Sequence, residues 1–144
     1  PDWPRRTTAA MTPPMPSYKL YKMIHLAGVV AVCMSVAGMS FHAWLGGTKE
    51  AAGAARKQLM ALHGVAMFLS LLGGMGAAAT AGFLGGEAGF PHWVMLKLVL
   101  WLIFGALPVL PYRKPEHSKW LFVAVPLLVA FAAWTAGGFL PLTR

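Results

Sequence analysis

The stretch MIHLAGVVAVCMSVAGMSFHAWL, residues 23–45, decides the fold of this chain. It contains no Asp, Glu, Lys or Arg over its whole length. A helix needs about 20 predominantly apolar residues to cross the hydrocarbon core of a bilayer, which is about 30 Å thick. Because backbone N–H and C=O groups find no water in lipid, such a segment must bond internally as a helix. The stretch therefore predicts a transmembrane helix.

Three further stretches pass the same test. They span residues 59–84, 93–110 and 120–140, and together with residues 23–45 they give four crossings. The connectors between them are short, and short connectors make neighbouring helices antiparallel. The sequence predicts an all-α fold, an integral membrane four-helix bundle with up-down-up-down topology.

The composition agrees with a chain that is surrounded by lipid. Of its 144 residues, 58% are hydrophobic and 11% are charged, whereas about 25% of residues are charged in a soluble domain. We expect one transmembrane domain, residues 19–144, after a polar tail rich in Pro and Arg, residues 1–18. The first partner is therefore the lipid bilayer, and we expect a multi-pass protein of a bacterial inner membrane.

The basic residues lie where lipid headgroups would meet them. The net charge is +8, and the cations flank the apolar stretches, which argues against nucleic acid as a partner. Short basic loops tend to face the cytoplasm. The first and third connectors are densely basic, which favours both termini on the outside, whereas Lys19 and Lys22 favour the opposite orientation.

Residue types also predict packing and depth. Small side chains let helix backbones approach closely in lipid. Two such ridges recur every four residues in the second stretch: Gly73, Ala77 and Ala81, and Gly74, Ala78 and Gly82. Tryptophans favour the membrane interface. Most of those in the apolar part lie near stretch ends, as an interfacial belt requires: Trp44, Trp93, Trp101, Trp120 and Trp134.

Ionisable residues inside a membrane are candidates for function, because burying them there costs free energy. Lys97 lies inside the third stretch, and four histidines lie near stretch ends: His25, His42, His63 and His92. Up-down order would bring His42 near His63. It would also bring His25 near His92 or Lys97. Two imidazoles from facing helices can ligate a b-type haem, so the four histidines are candidate haem ligands. The alternative is that they bond to backbone carbonyls or headgroups, and that Lys97 extends to the interface.

Several kinds of site are missing from the sequence. Cys33 is the only cysteine, which excludes a disulfide framework and a Cys-based zinc site, and we expect no metal site. There is no H-E-x-x-H motif and no Gly-rich phosphate loop ahead of a helix. No two carboxylates lie within one apolar stretch. These gaps favour a non-enzymatic protein without a small-molecule substrate.

Two short motifs carry a family resemblance. Lys22-Met23-Ile24-His25, at the start of the first stretch, resembles the K-x-x-H start of small four-helix membrane proteins of the HemJ type and of the related CopD-like and SirB-like families. The element WVMLKL, residues 93–98, is similar to the W-x-x-x-K-L element of the HemJ type. The resemblance implies four spans and a protoporphyrinogen oxidase that binds haem b. His25 and Lys97 would be its functional residues.

Three functional hypotheses follow. The first is a non-enzymatic accessory or structural subunit of a larger membrane assembly, such as a respiratory or photosynthetic complex, with other membrane subunits as partners. The second is a haem b-binding protein of the protoporphyrinogen oxidase type. The third is a small transporter, which only Lys97 supports, because the first helix lacks the broken centre that many transporters use.

Overall fold

The computed structural model describes residues 17–84 and 91–136, which form helices joined by turns and contain no strand. Four helices are long and apolar enough to cross a membrane: Tyr18–Trp44, Lys49–Thr80, His92–Arg113 and Pro115–Trp134. The prediction of an all-α protein is confirmed for this part of the chain, and so is the prediction of four helices with the length and apolarity of membrane spans. The predicted tail, residues 1–18, lies outside the described residues up to residue 16.

Helix α1, Tyr18–Trp44, begins five residues before the predicted span. The Ser17 hydroxyl caps it by accepting a hydrogen bond from the N–H of Leu20 at 3.4 Å. The helix ends where Gly46 adopts a φ of 82°. The N–H of Gly47 then donates to the carbonyl of His42 at 3.0 Å. This is the glycine-dependent end that satisfies the last carbonyls of a helix.

Helix α2, Lys49–Thr80, begins ten residues before the predicted span. The Thr48 hydroxyl accepts a hydrogen bond from the N–H of Ala51 at 3.2 Å and caps the helix. Residues 49–58 are rich in good helix formers, so they are helical although they are too polar for lipid. Gly53 interrupts the helix with a φ of 41°. Counted from Lys49, His63 lies about four turns into α2, whereas it lies about one turn after the predicted start of the span at residue 59.

The third span combines three short elements before the chain turns back. Helix α3, His92–Ala106, continues as a 3₁₀ turn, Leu107–Val109, and as helix α4, Leu110–Arg113. A second 3₁₀ turn, Pro115–His117, leads into helix α5, Ser118–Ala136, which runs through Pro126.

A serine stabilises the turn between the third and fourth spans. Pro115 has no N–H, so the carbonyl of Pro111 cannot find its usual helical donor. The hydroxyl of the fully buried Ser118 donates to that carbonyl at 3.1 Å instead. The predicted connector 111–119 is therefore mostly helical turn.

Glycines set the approach of α1 to α2. A Cβ on Gly28 would lie 2.6 Å from the backbone nitrogen of Ser70, and a Cβ on Gly73 would meet the backbone of His25. Gly28 faces Ser70 while Gly38 faces Leu59, so residue numbers rise along α1 as they fall along α2, and the two helices are antiparallel.

The predicted small-residue ridges are therefore partly confirmed. Gly73 and Gly74 pack against His25, and Ala78 is buried. Gly82 is not part of a ridge, because it lies beyond the end of α2 with a φ of 76°. This φ lets the N–H of Phe83 donate to the carbonyl of Ala78 at 2.9 Å.

All four spans contribute to one apolar core, and they do so unequally. Its buried members are Val32, Val36, Ala66, Met67, Phe104, Leu107 and Val125. In the most apolar part of the first span, 33% of the residues are buried within the chain, whereas the corresponding share in the fourth span is 11%. The α1–α2 pair is the centre of the bundle, and α5 covers it loosely.

Candidate functional site

His63 is the most buried ionisable side chain that the structure describes, with 4% of its surface exposed. Its Nδ1 lies 2.9 Å from the hydroxyl oxygen of Ser35 on α1. That hydroxyl donates to the carbonyl of Val32 at 2.8 Å, so its own proton is used and the imidazole Nδ1–H must donate to Ser35. His63 Nε2 makes no hydrogen bond of good geometry, and it lies beside the backbone carbonyl of Phe104 on α3.

The register of α1 and α2 places this pair at the middle of the first apolar stretch. Residues 23–45 have their centre at Met34, and Ser35 is the next residue. Because Ser35 contacts His63 directly, the imidazole lies level with the middle of that stretch.

His25, near the start of α1, also binds α2, at Ser70. Its Nδ1 lies 2.7 Å from the carbonyl oxygen of Ser70. A carbonyl only accepts, so Nδ1–H donates and Nε2 keeps a free lone pair. The imidazole packs against Gly74, where a Cβ would lie 3.0 Å from Nδ1. His25 is half-buried at the edge of the α1–α2 interface.

Trp101 joins the third span to α2 by the same kind of bond. Its indole N–H donates to the carbonyl of Met67 at 3.0 Å. The hydroxyl of Ser70 donates to that carbonyl as well, at 2.9 Å. Trp101 therefore lies half-buried against α2 in the third span, and its N–H has a backbone carbonyl as partner.

The remaining candidates lie apart from this interior. His42 is near the end of α1, and its Nδ1 lies 3.1 Å from the hydroxyl of Tyr112. His92 is exposed at the first residue of α3. The ammonium of Lys97 lies 5.4 Å from the centre of the Trp93 ring on its own helix.

The pairings expected from up-down order do not form between side chains. Within residues 17–84 and 91–136, no hydrogen bond or ring contact joins His42 to His63, or His25 to Lys97. α1 and α2 are antiparallel, and the side chains of His25, His42 and His63 bind other partners. No group of three or more potential metal-ligating residues occurs within the described ranges.

Sequence reasoning missed the partners of the histidines. The carbonyls of Ser70 and Phe104 carry no side-chain signal, although Pro108 removes the N–H that would serve the Phe104 carbonyl in an α-helix. Tyr112, the partner of His42, lies in a stretch read as a loop. The interior thus forms a network in which polar groups of α1 and α3 bind α2.

Comparisons with known proteins give no further identification. A scan against protein-family models found no match, and neither the search of curated proteins nor the search of solved structures found one.

Proposed function

We propose that the protein is a non-enzymatic accessory subunit of a larger membrane assembly of the respiratory or photosynthetic type, which it stabilises by helix packing. The chain would cross a bacterial inner membrane four times in up-down-up-down order. The supporting observation is how the interior polar groups are used. His25, His63 and Trp101 each hold one helix against another, and none lines either main cleft of the described residues.

The outer faces of the third and fourth spans support the same proposal. Their most apolar windows are only 22% and 11% buried within the chain. Helix association in lipid depends on van der Waals packing rather than on the hydrophobic effect, so a helix packed on one side gains little from its own chain. A neighbouring subunit on the exposed face of α5 would add the missing contact.

The test is the size of the particle extracted from native membranes into polymer-bounded lipid discs. We expect stoichiometric co-purification with other membrane subunits. Ala130→Phe, on the exposed face of α5, should release the chain from them. Ala61→Phe, the matched change on the exposed face of α2, should not. A particle containing one 15.4 kDa chain alone, or equal release by both variants, would contradict the proposal.

A second candidate function is binding of haem b, and the geometry of His25 favours it. A metal-ligating histidine commonly donates its other ring N–H to a backbone carbonyl, which fixes the ring and leaves one nitrogen for the metal. The Nδ1–H of His25 donates in this way to Ser70. His25 therefore fits one axial ligand of a haem, which would supply one-electron chemistry. The described residues bring no second histidine to it, and His63 Nε2 is enclosed by protein.

An absorption spectrum tests this candidate separately. The chain, expressed with haem supplied and purified in detergent, should show a Soret band. His25→Ala should abolish the band, whereas His117→Ala, at an exposed position, should leave it unchanged. A wild-type protein without the band, or a band that survives His25→Ala, would exclude His25 as a haem ligand.

A further inference from the structure

A cleft of about 400 Å³ opens at the end of the bundle where α1 joins α2. On one side it is lined by the turn between these helices, and on the other by the turn after the third span. The residues that line it include Gly47, Thr48, Lys49, Glu50, Tyr112 and Pro115. It is separate from the interior network, since His25, His63 and Trp101 do not line it.

The residues around the cleft are typical of a membrane interface. Trp44 and Phe41 form an aromatic cluster with Phe122 at this end, with ring centres 5.9 to 6.3 Å apart. Exposed tryptophans favour the membrane interface. Residues 49–58 at the start of α2 are too polar for the hydrocarbon, so Lys49 and its neighbours are suited to the headgroup region.

This end carries an excess of unpaired positive charge. Its six cations are Lys49, Arg56, Lys57, Arg113, Lys114 and Lys119, and its two carboxylates are Glu50 and Glu116. Glu116 pairs with His117 at 3.3 Å. None of the six cations forms an ion pair with a carboxylate of the described residues, although Lys49 and Arg56 are close enough to Glu50 to interact with its charge. A surface on which cations outnumber carboxylates three to one is suited to an anionic partner.

Arg56 adjoins the cleft through Tyr112, which lines it. Its guanidinium lies 5.9 Å from the centre of the Tyr112 ring, and the Tyr112 hydroxyl is held in turn by His42. Gly47 is needed beside that imidazole, because a Cβ there would collide with the ring. A planar guanidinium held on an aromatic ring is prepared for a bidentate contact with a phosphate. Lys49, in the wall of the cleft, can supply a second positive charge.

We propose that this cleft binds the phosphodiester headgroup of an anionic phospholipid, with Arg56 and Lys49 as its cationic contacts. The lipid is favoured over a soluble anion because the cleft adjoins exposed apolar side chains that acyl chains can cover. Phe41 is 46% and Trp44 50% exposed. Glu50 also lines the cleft, and its carboxylate disfavours a headgroup with a high negative charge, which points to a lipid with a single phosphodiester charge.

The experiment is a titration of the whole chain in a non-ionic detergent, with bound lipids counted by native mass spectrometry. Phosphatidylglycerol should bind at least fivefold more tightly than zwitterionic phosphatidylcholine. Arg56→Gln and Lys49→Gln should each weaken phosphatidylglycerol binding about fivefold. Lys57→Gln removes the same charge at the next position, which is exposed and lacks the ring contact that Arg56 makes with Tyr112, and it should weaken binding less than twofold. Far-UV circular dichroism checks that each variant is folded, and Lys49 is exposed at the first residue of α2.

Three outcomes would overturn the proposal. Equal affinity for the two lipids would remove the charge recognition. An equal effect of Lys57→Gln and Arg56→Gln would indicate a diffuse electrostatic attraction rather than a site. Displacement of phosphatidylglycerol by millimolar inorganic phosphate would show that the cleft binds a soluble anion instead of a lipid.

Discussion

Gly28→Ala should separate the two central helices, and the effect can be worked out from the structure. The new Cβ would lie 2.6 Å from the backbone nitrogen of Ser70 and 2.9 Å from its Cα. Optimal contacts between such atoms are about 3.5 Å long, so α1 and α2 must move apart by about 0.9 Å. Neither neighbour is a flexible side-chain end, so the backbone itself has to shift.

The same shift would break the polar contacts between α1 and α2. The distance from His63 to Ser35 would grow from 2.9 Å to about 3.8 Å, and that from His25 to Ser70 from 2.7 Å to about 3.6 Å, which is beyond hydrogen-bond range. Overpacking costs about 1–3 kcal/mol, and each interhelical hydrogen bond in a membrane contributes about 0.6 kcal/mol. We therefore expect Gly28→Ala to lower the free energy of unfolding by about 2–4 kcal/mol.

Gly64→Ala is the matched control. Gly64 lies in α2, and a Cβ there would have no neighbour within 4 Å. Alanine is the better helix former by about 1 kcal/mol, so this variant should lose no stability. Both can be measured by reversible unfolding with SDS in mixed micelles, followed by far-UV circular dichroism. Equal stability of the two variants, or a larger loss for Gly64→Ala, would refute the close α1–α2 packing.

Three further predictions use the same unfolding assay. In a double-mutant cycle of Ser35→Ala and His63→Ala, we expect a coupling in the free energy of unfolding of about 0.6 kcal/mol and at most about 1.7 kcal/mol. A coupling of zero would mean that the two side chains are not hydrogen-bonded. Trp101→Phe removes the indole N–H toward Met67 together with part of a ring that packs against the core, and should cost more than one interhelical hydrogen bond contributes, about 0.6 kcal/mol. An interfacial Trp101 would give no loss and a solvent-quenched fluorescence. Ser118→Ala leaves the Pro111 carbonyl without its donor and should lower the free energy of unfolding by about 1–3 kcal/mol. Ser40→Ala removes an equally buried hydroxyl without a partner and should cost nothing. A larger loss of stability for Ser40→Ala than for Ser118→Ala would contradict the role of Ser118.

Hydropathy predicted the four spans because it measures the property that lipid selects. It could not predict where the helices begin, since a helix continues beyond the bilayer wherever its residues favour it. The first ten residues of α2 show this: they are too polar for lipid, yet they are Ala-rich and capped by Thr48.

The candidate site was predicted as a set of residues but not as a set of contacts. The sequence shows that His25 and His63 are ionisable and lie in apolar stretches. Their partners depend on the register of α1 against α2, which Gly28 and Gly73 fix through backbone contacts. A backbone carbonyl such as that of Ser70 has no signal in the sequence, so a pairing of histidine with histidine was the natural expectation from side chains alone.

The distribution of satisfied and unsatisfied polar groups separates the interior from one end of the molecule. In lipid an unpaired polar group costs free energy, so a bond such as that from His63 to Ser35 is explained by stability alone and needs no ligand. Water and headgroups lie at the interface, and an unpaired charge such as that of Arg56 costs little there and remains available. Stability therefore accounts for most of the interior polar residues of this chain. The end that carries Arg56 and Lys49 is where recognition of a partner is to be sought, and His25 Nε2 keeps a free lone pair for a ligand at a half-buried position.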